Sequence, residues 1–311
     1  MREGHSMPLV SVVIPVYNGE RFLRESLESV FAQTFQDYEV ICVNDGSTDG
    51  SAALLETYGE RVTVVHQANA GQSAARNVGV RQATGAFVAF LDQDDRWSPS
   101  KLAQQVAVLN AEPDVALVHC NYDRMDGDGL VLVVGAALVE RASALTSPLG
   151  RLIGEALVFP SAMMVRRDVF QRVGGFDSEL RGFEDFDLIA RLKQQGRFVL
   201  LNESGMAYRL HAGGFTRAGG MGVIRSQERF LIRMRALYAG DHVKDMLIMQ
   251  ILADCYSDWG MHDARYGQPR KGWVKLIQSL QQNPWKFRTY SRLVRVSLLA
   301  IGGSRKQDMH R

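Results

Sequence analysis

Apolar runs and helical patterns alternate along the first third of the chain. The runs at 9–14, 39–43, 62–66 and 86–91 are too short for a helix and too apolar for a surface loop, so they read as buried strands. Between them the apolar residues recur at helical spacing. Phe22, Leu23, Leu27, Val30 and Phe31 follow Asn18-Gly19, residues 52–58 follow the capping stretch Ser47-Thr48-Asp49, and a third pattern covers 71–82. Such alternation predicts a parallel sheet with helices on both faces. Ser98-Pro99 opens another helix, which runs to about residue 110 before Pro113 halts it. Residues 115–120 and 130–134 then read as strands joined by an Asp126-Gly127-Asp128-Gly129 turn, which brings antiparallel pairing into the sheet. A last strand ends at Tyr208-Arg209-Leu210-His211. Beyond residue 221 helical patterns dominate, broken at Gly240, Gln268-Pro269 and Asn283-Pro284. The prediction is an α/β chain, with a mixed sheet flanked by helices over 8–220 and a helical extension over 221–311.

Composition narrows the classes. The 311 residues suffice for a full core, 36 basic residues nearly balance 34 acidic ones, and 46% of positions are apolar. Neither disorder nor bulk nucleic-acid binding is implied. Cys42, Cys120 and Cys255 are widely spaced among apolar residues, which fits reduced core thiols and no zinc site. The first seven residues are polar and read as a loose leader without the apolar stretch of a secretion signal. No apolar run reaches the roughly 18 residues of a membrane span, although residues 293–301 come nearest. The expected location is cytoplasmic, with peripheral contact at the inner face of the cell membrane.

Acidic residues cluster where apolar strands give way to loops: Asp45, the run Asp92-Gln93-Asp94-Asp95, and Glu184-Asp185, with His211 at the end of the last strand. Open α/β sheets bind ligands outside the carboxyl ends of their strands, so these groups can meet around one cation or one diphosphate. The chain has neither GxxxxGK[ST] nor a GxGxxG after its first strand, so backbone cradling of phosphate is a poor competitor. Taken alone, Asp92 to Asp95 is also what a solvated acidic turn looks like. Glu184-Asp185 is likewise what a helix start favours, worth about 0.3–1 kcal/mol.

Five motifs lift that ambiguity by their order. Val12-Val13-Ile14-Pro15-Val16-Tyr17-Asn18 comes first, then Val43-Asn44-Asp45-Gly46-Ser47-Thr48-Asp49. Asn69-x-Gly71 follows with Ala75-Arg76-Asn77-x-Gly79, then residues 90–95, and finally Gly182-Phe183-Glu184-Asp185-Phe186-Asp187-Leu188. Over residues 8–215 this series resembles a family 2 glycosyltransferase. The resemblance implies a GT-A fold, a Rossmann-like nucleotide-diphospho-sugar transferase. It implies an inverting, metal-dependent enzyme using Mn2+ or Mg2+ and a UDP-sugar donor, working on a glycan or lipid-linked acceptor in bacterial surface polysaccharide synthesis. Carried over residue by residue, Asp45 would bind the nucleotide base beside Pro15, Tyr17 and Asn18, and Arg76 would brace that region. Asp92 would contact ribose or the metal, Asp94 would bind the metal with Asp95 as alternative, and His211 would complete the coordination or be structural. Asp185 would be the general base, with Glu184 as runner-up or acceptor ligand. Apart from the resemblance, Arg217 in the glycine-rich loop after His211 is placed to reach the diphosphate as that loop closes, or else to be a solvated surface arginine. The segments 159–163 and 174–177 would line the acceptor side, with Met163 and Met164 as core.

Rival readings differ in what they require. A nucleotidyltransferase would show a glycine-rich basic loop where residues 15–20 stand, a non-catalytic sugar-nucleotide-binding protein would lack the acids, and a polyprenyl-phosphate sugar transferase differs only in acceptor. The Gln-x-x-Arg-Trp element of processive synthases is missing from its place after the base, since Arg96-Trp97 follows Asp95 directly, so one sugar per encounter is expected. From residue 286 onward the chain carries seven Lys/Arg and one Asp among apolar residues, the pattern of a basic amphipathic helix at an anionic membrane or of a packed final helix with a basic tail.

Overall fold

A computed structural model describes residues 7–155, 158–213 and 221–308. In chain order it runs β1 (Val10–Val16), α1 (Glu20–Phe31), β2 (Tyr38–Asn44), α2 (Ser51–Glu56), β3 (Thr63–His66), α3 (Gln72–Gln82), β4 (Phe87–Phe90), β5 (Arg96–Trp97) and α4 (Lys101–Ala111). β6 (Val115–Met125), β7 (Val131–Val133), α5 (Ala136–Thr146), α6 (Pro148–Ile153), β8 (Met163–Arg166), α7 (Arg167–Arg172), α8 (Glu184–Leu192) and β9 (Arg197–Arg209) follow. The chain ends in α9 (Met221–Leu237), α10 (His242–Arg265), α11 (Pro269–Gln282) and α12 (Phe287–Asp308). It divides into two compact units, one formed by 1–144, 155–178 and 184–217, the other by 145–154, 179–183 and 218–311. The short stretches 145–154 and 179–183 thus belong with the carboxyl-terminal helices, where the sequence pattern alone places a single break near residue 221.

The first unit holds one mixed sheet in the order β3-β2-β1-β4-β8-β6-β9-β5, with β7 paired to β6. β1, β2, β3 and β4 run parallel, which is why β1 and β4 are apolar on both faces and buried throughout. Past β4 the sheet mixes: β8 lies antiparallel to β4 and β6, β9 runs parallel to β6, and β5 closes the edge antiparallel to β9. β6 runs on to Met125, beyond the expected end at residue 120, because β9 pairs with it from Val115 to Met125 across three irregular steps. Against the sheet, α1 packs Phe22, Leu23, Leu27 and Val30. α3 comes so near β1 that a Cβ on Gly79 would fall 2.4 Å from Val13 Cγ1, so only glycine permits the approach. Met163 and Met164 are core, as expected, and the three cysteines are buried free thiols.

In the second unit α10 and α11 cross at two glycines. A Cβ on Gly272 would meet the Gly260 carbonyl at 2.4 Å, so the two backbones touch directly. Asp241 caps α10, accepting from the amides of Val243 and Lys244 at 3.1 Å. Among the described residues no helix is long and apolar enough to cross a membrane.

Candidate active site

The parallel strands deliver Asp45 and the 92–95 loop at their carboxyl ends. Asp45 follows β2 and is 2% exposed. Its Oδ1 accepts from Gln67 Nε2 at 2.6 Å and the Ala70 amide at 2.8 Å, and its Oδ2 accepts from the Gly71 amide at 2.8 Å. The carboxylate thus fixes the loop that leads into α3, and among the described residues Oδ2 accepts no second hydrogen bond, which leaves it a lone pair. Beside it Tyr17 is exposed, and its backbone N–H and C=O are both held by the Gln93 amide at 2.8 and 2.9 Å. Asn18 adopts φ 50°, and its side-chain oxygen accepts from the Thr48 amide at 2.8 Å. Pro15 sits in β1 beyond the last residue pair with β4, Val13 with Phe90, so its missing N–H breaks no rung there.

The four residues after β4 divide their work. Asp95 is buried, its Oδ2 taking the Ser161 hydroxyl at 2.6 Å and its Oδ1 the Arg209 amide at 3.1 Å. Burial, then the charges of Asp94 and Asp92, push its pKa well above the ordinary range. Each Asp95 oxygen is thus engaged within the protein. Ser161 also accepts from the Asp92 amide at 3.0 Å, so one hydroxyl pins both ends of the loop. The segment 159–163, expected at the acceptor side, is largely buried, and its Ser161 bonds Asp92 and Asp95.

Asp94 and Asp92 are both partly exposed, with 27% and 26% of their side chains accessible, and Asp94 Oδ2 lies 2.8 Å from His211 Nε2. Burial and then Asp92 raise the pKa of Asp94, while His211 lowers it. Arg209 fixes the backbone behind it, donating through Nε to the Asp94 carbonyl at 2.8 Å and through Nη2 to Glu25 at 2.5 Å. A carboxylate oxygen beside an imidazole nitrogen suits Mn2+ better than Mg2+, which prefers oxygen alone. Among the described residues no third His, Cys, Asp or Glu joins the pair. Asp94 and His211 could together offer two ligands to a divalent cation.

Arg76 pairs with Asp92 and feels the charges of the acids of α8. It is 1% exposed, donates through Nη2 to Asp92 Oδ1 at 2.5 Å, and leaves Nε and Nη1 without a hydrogen-bond partner among the described residues. Burial works against its charge, but Asp92 and then Asp185 outweigh it and hold its pKa above the usual value. α8 is anchored by Leu188, Ile189 and Leu192 in the core and by buried Asp187, which takes Arg191 at 2.5 Å while Arg191 also reaches the carbonyls of Val173 and Gly175. That anchoring holds Glu184 and Asp185 in its first turn. Gln72 donates to Glu184 at 2.5 Å. Asp185 Oδ1 is buried with no hydrogen-bond partner among the described residues. Burial pushes its pKa up to about 8, Arg76 opposing and Glu184 and Asp92 adding to the rise.

Asp45, Arg76, Asp92, Asp94, Glu184, Asp185 and His211 lie in one unit and are connected in part by hydrogen bonds and in part by charge alone: Asp45 holds Gly71, Gln72 holds Glu184, His211 bonds Asp94, Arg76 bonds Asp92, and Arg76 and Asp185 feel each other's charge without a hydrogen bond between them. Arg217 lies outside the described residues. Residues 11–174, more than half of the chain, match the model of Glycosyl transferase family 2. The chain belongs to this family. The uncharacterized glycosyltransferase RP339 of Rickettsia prowazekii is 31% identical over 215 residues, 68% of this chain and 67% of that protein. The chain spans between 27% and 67% of the lengths of the first three curated relatives it matches. Among solved structures, S. aureus TarS 1-349 in complex with UDP-GlcNAc superposes with a TM-score of 0.68 at 20% identity, over 88% of this chain and 81% of that one. The mannosyltransferase PcManGT from Pyrobaculum calidifontis, in complex with GDP-Man and Mn2+, gives 0.59 at 19% identity over 95% and 81%. At that identity the shared property is the GT-A-like fold. For a family 2 chain, motifs draw attention to acids. They do not reveal Ser161, Gln72 or Gln93, neutral side chains whose whole effect is orientation.

Proposed function

We propose that this family 2 protein is an inverting, non-processive glycosyltransferase that moves a sugar from a UDP-sugar to a glycan or lipid-linked acceptor in bacterial surface polysaccharide synthesis. One observation carries the reading: a buried carboxylate oxygen without a partner, on Asp185, shares a charge network with the Asp94 and His211 pair. The TarS and PcManGT complexes, one with UDP-GlcNAc and one with GDP-Man and Mn2+, support a nucleotide-sugar donor and a divalent cation.

Each residue then has a task. The free lone pair of Asp45 Oδ2 accepts the imide N–H of uracil, with Pro15, Tyr17 and Asn18 around the base. When bound, a divalent cation held by Asp94 and His211, with Asp92 close by, supplies positive charge to the departing diphosphate. Asp185 Oδ1 takes the proton of the acceptor hydroxyl, whose oxygen bonds to the anomeric carbon as the bond to the diphosphate oxygen breaks on the opposite face. Configuration inverts. A carboxylate with a pKa near 8 is a far stronger base than an exposed aspartate and is still partly ionised at neutral pH. Arg76 orders Asp92 and Asp185, and Glu184, steadied by Gln72, stands beside the base as acceptor ligand.

The test is a calorimetric panel of nucleotide sugars with and without Mn2+, repeated on Asp94→Ala. UDP-sugars should bind best, Mn2+ should strengthen binding, and Asp94→Ala should abolish that gain. Tight uridine binding indifferent to both metal and mutation would refute the metal assignment. Lipid phosphate offered against oligosaccharide as acceptor separates a polyprenyl-phosphate sugar transferase from a glycan-extending enzyme.

A further inference from the structure

α12 presents three faces of different character. Thr289 and Val296 are fully buried, and Leu293 packs with Val296 against Met261, Ala264 and Leu276. A quarter-turn round, Arg288, Arg292 and Arg295 line a cavity of about 520 Å3 whose other wall is α10, with His262, Arg265 and Tyr266. On the third face Phe287, Tyr290 and Val294 stand exposed, and Trp285 precedes them just before the helix. Trp285 and Phe287 are 80% and 78% exposed.

The cavity is cationic by construction. Of its four arginines only Arg292 is neutralised, by Asp258 at 2.7 Å. The side chains of Arg265, Arg288 and Arg295 make no ion pair or hydrogen bond among the described residues. Three guanidinium forks around one concavity match the oxygens of a phosphate. The neighbouring face supplies the second, independent observation. A row of Trp, Phe, Tyr and Val left in water costs free energy unless something apolar covers it, and aromatic residues beside arginines are the composition of a helix lying at a lipid–water interface. A soluble phosphate would occupy the arginines and leave that row uncovered. A lipid headgroup satisfies both.

We propose that the groove between α10 and α12 binds the phosphate of anionic lipid headgroups, with Trp285, Phe287, Tyr290 and Val294 seated at the acyl boundary. The helical unit is then a lipid-reading module, and its action requires nothing of the sugar-transfer reading.

Co-sedimentation of the full chain with vesicles tests it, comparing phosphatidylcholine alone with phosphatidylcholine plus phosphatidylglycerol. Binding should favour the anionic vesicles by at least about tenfold, weaken as salt is raised, and fall by about tenfold or more in Arg288→Glu/Arg295→Glu. Trp285→Ser/Phe287→Ser changes two exposed side chains and keeps the helix content by circular dichroism, so it provides a folded variant in which binding must also fall. Equal binding to both vesicle types, no binding, or wild-type binding by the aromatic variant would overturn the proposal. So would calorimetry showing that glycerophosphoglycerol binds as tightly as the vesicles, which would make the groove a site for a soluble anion.

Discussion

Asp45 and Asp185 are both shielded acids of the same unit, and their surroundings make them opposites. The loop between β3 and α3 surrounds Asp45 with three donors, the Gln67 side chain and the amides of Ala70 and Gly71. The first turn of α8 gives Asp185 Oδ1 none, and burial drives its pKa to about 8. Burial alone therefore does not decide what an acid does. Donors turn a buried carboxylate into a brace for backbone, while their absence stores basicity that a substrate hydroxyl can draw on.

The comparison breaks most severely at Arg76, whose charge bears on both Asp92 and Asp185. Arg76→Met leaves Asp92 and Asp185 without their counter-charge and should cost about 3–5 kcal/mol in urea unfolding. It should also carry the pKa of Asp185 above its value of about 8, since Arg76 is what opposes the rise. A stable Arg76→Met with an unmoved titration would mean that the two acids do not communicate. A smaller effect tests the bracing side. Asp45→Ala frees the Ala70 and Gly71 amides, and Ser161→Ala leaves the Asp92 amide and Asp95 Oδ2 unsatisfied, so each should lower stability by about 1–3 kcal/mol. Of the two, only Asp45→Ala should also weaken uridine nucleotide binding severely.

The sequence shows the scaffold more readily than the supports of the site. β1, β2 and β4 are buried between neighbours and helices, so their apolar runs are unmistakable, and the acids at their ends stand out against them. β5 and β8, two and four residues long, owe their existence to partners far along the chain and carry no pattern of their own. The division of labour between Asp94 and Asp95 is hidden for the same reason. Ser161, which engages Asp95, lies 66 residues away, and Gln72 lies 112 residues from the Glu184 it steadies. Spacing marks which residues can do chemistry. Which acid is left with a free oxygen is decided by side chains that only the folded chain brings near.

The most direct test of the central claim is the pH dependence of transfer in wild type and in Asp185→Asn, with donor binding measured alongside. The wild-type rate should rise about tenfold per pH unit at lower pH and level off above about 8, because only ionised Asp185 accepts the proton. Asp185→Asn should bind donor normally, transfer about 10²–10⁴-fold more slowly and lose that pH dependence. A wild-type rate unchanged across this range, or an Asp185→Asn enzyme with full transfer, would contradict the account.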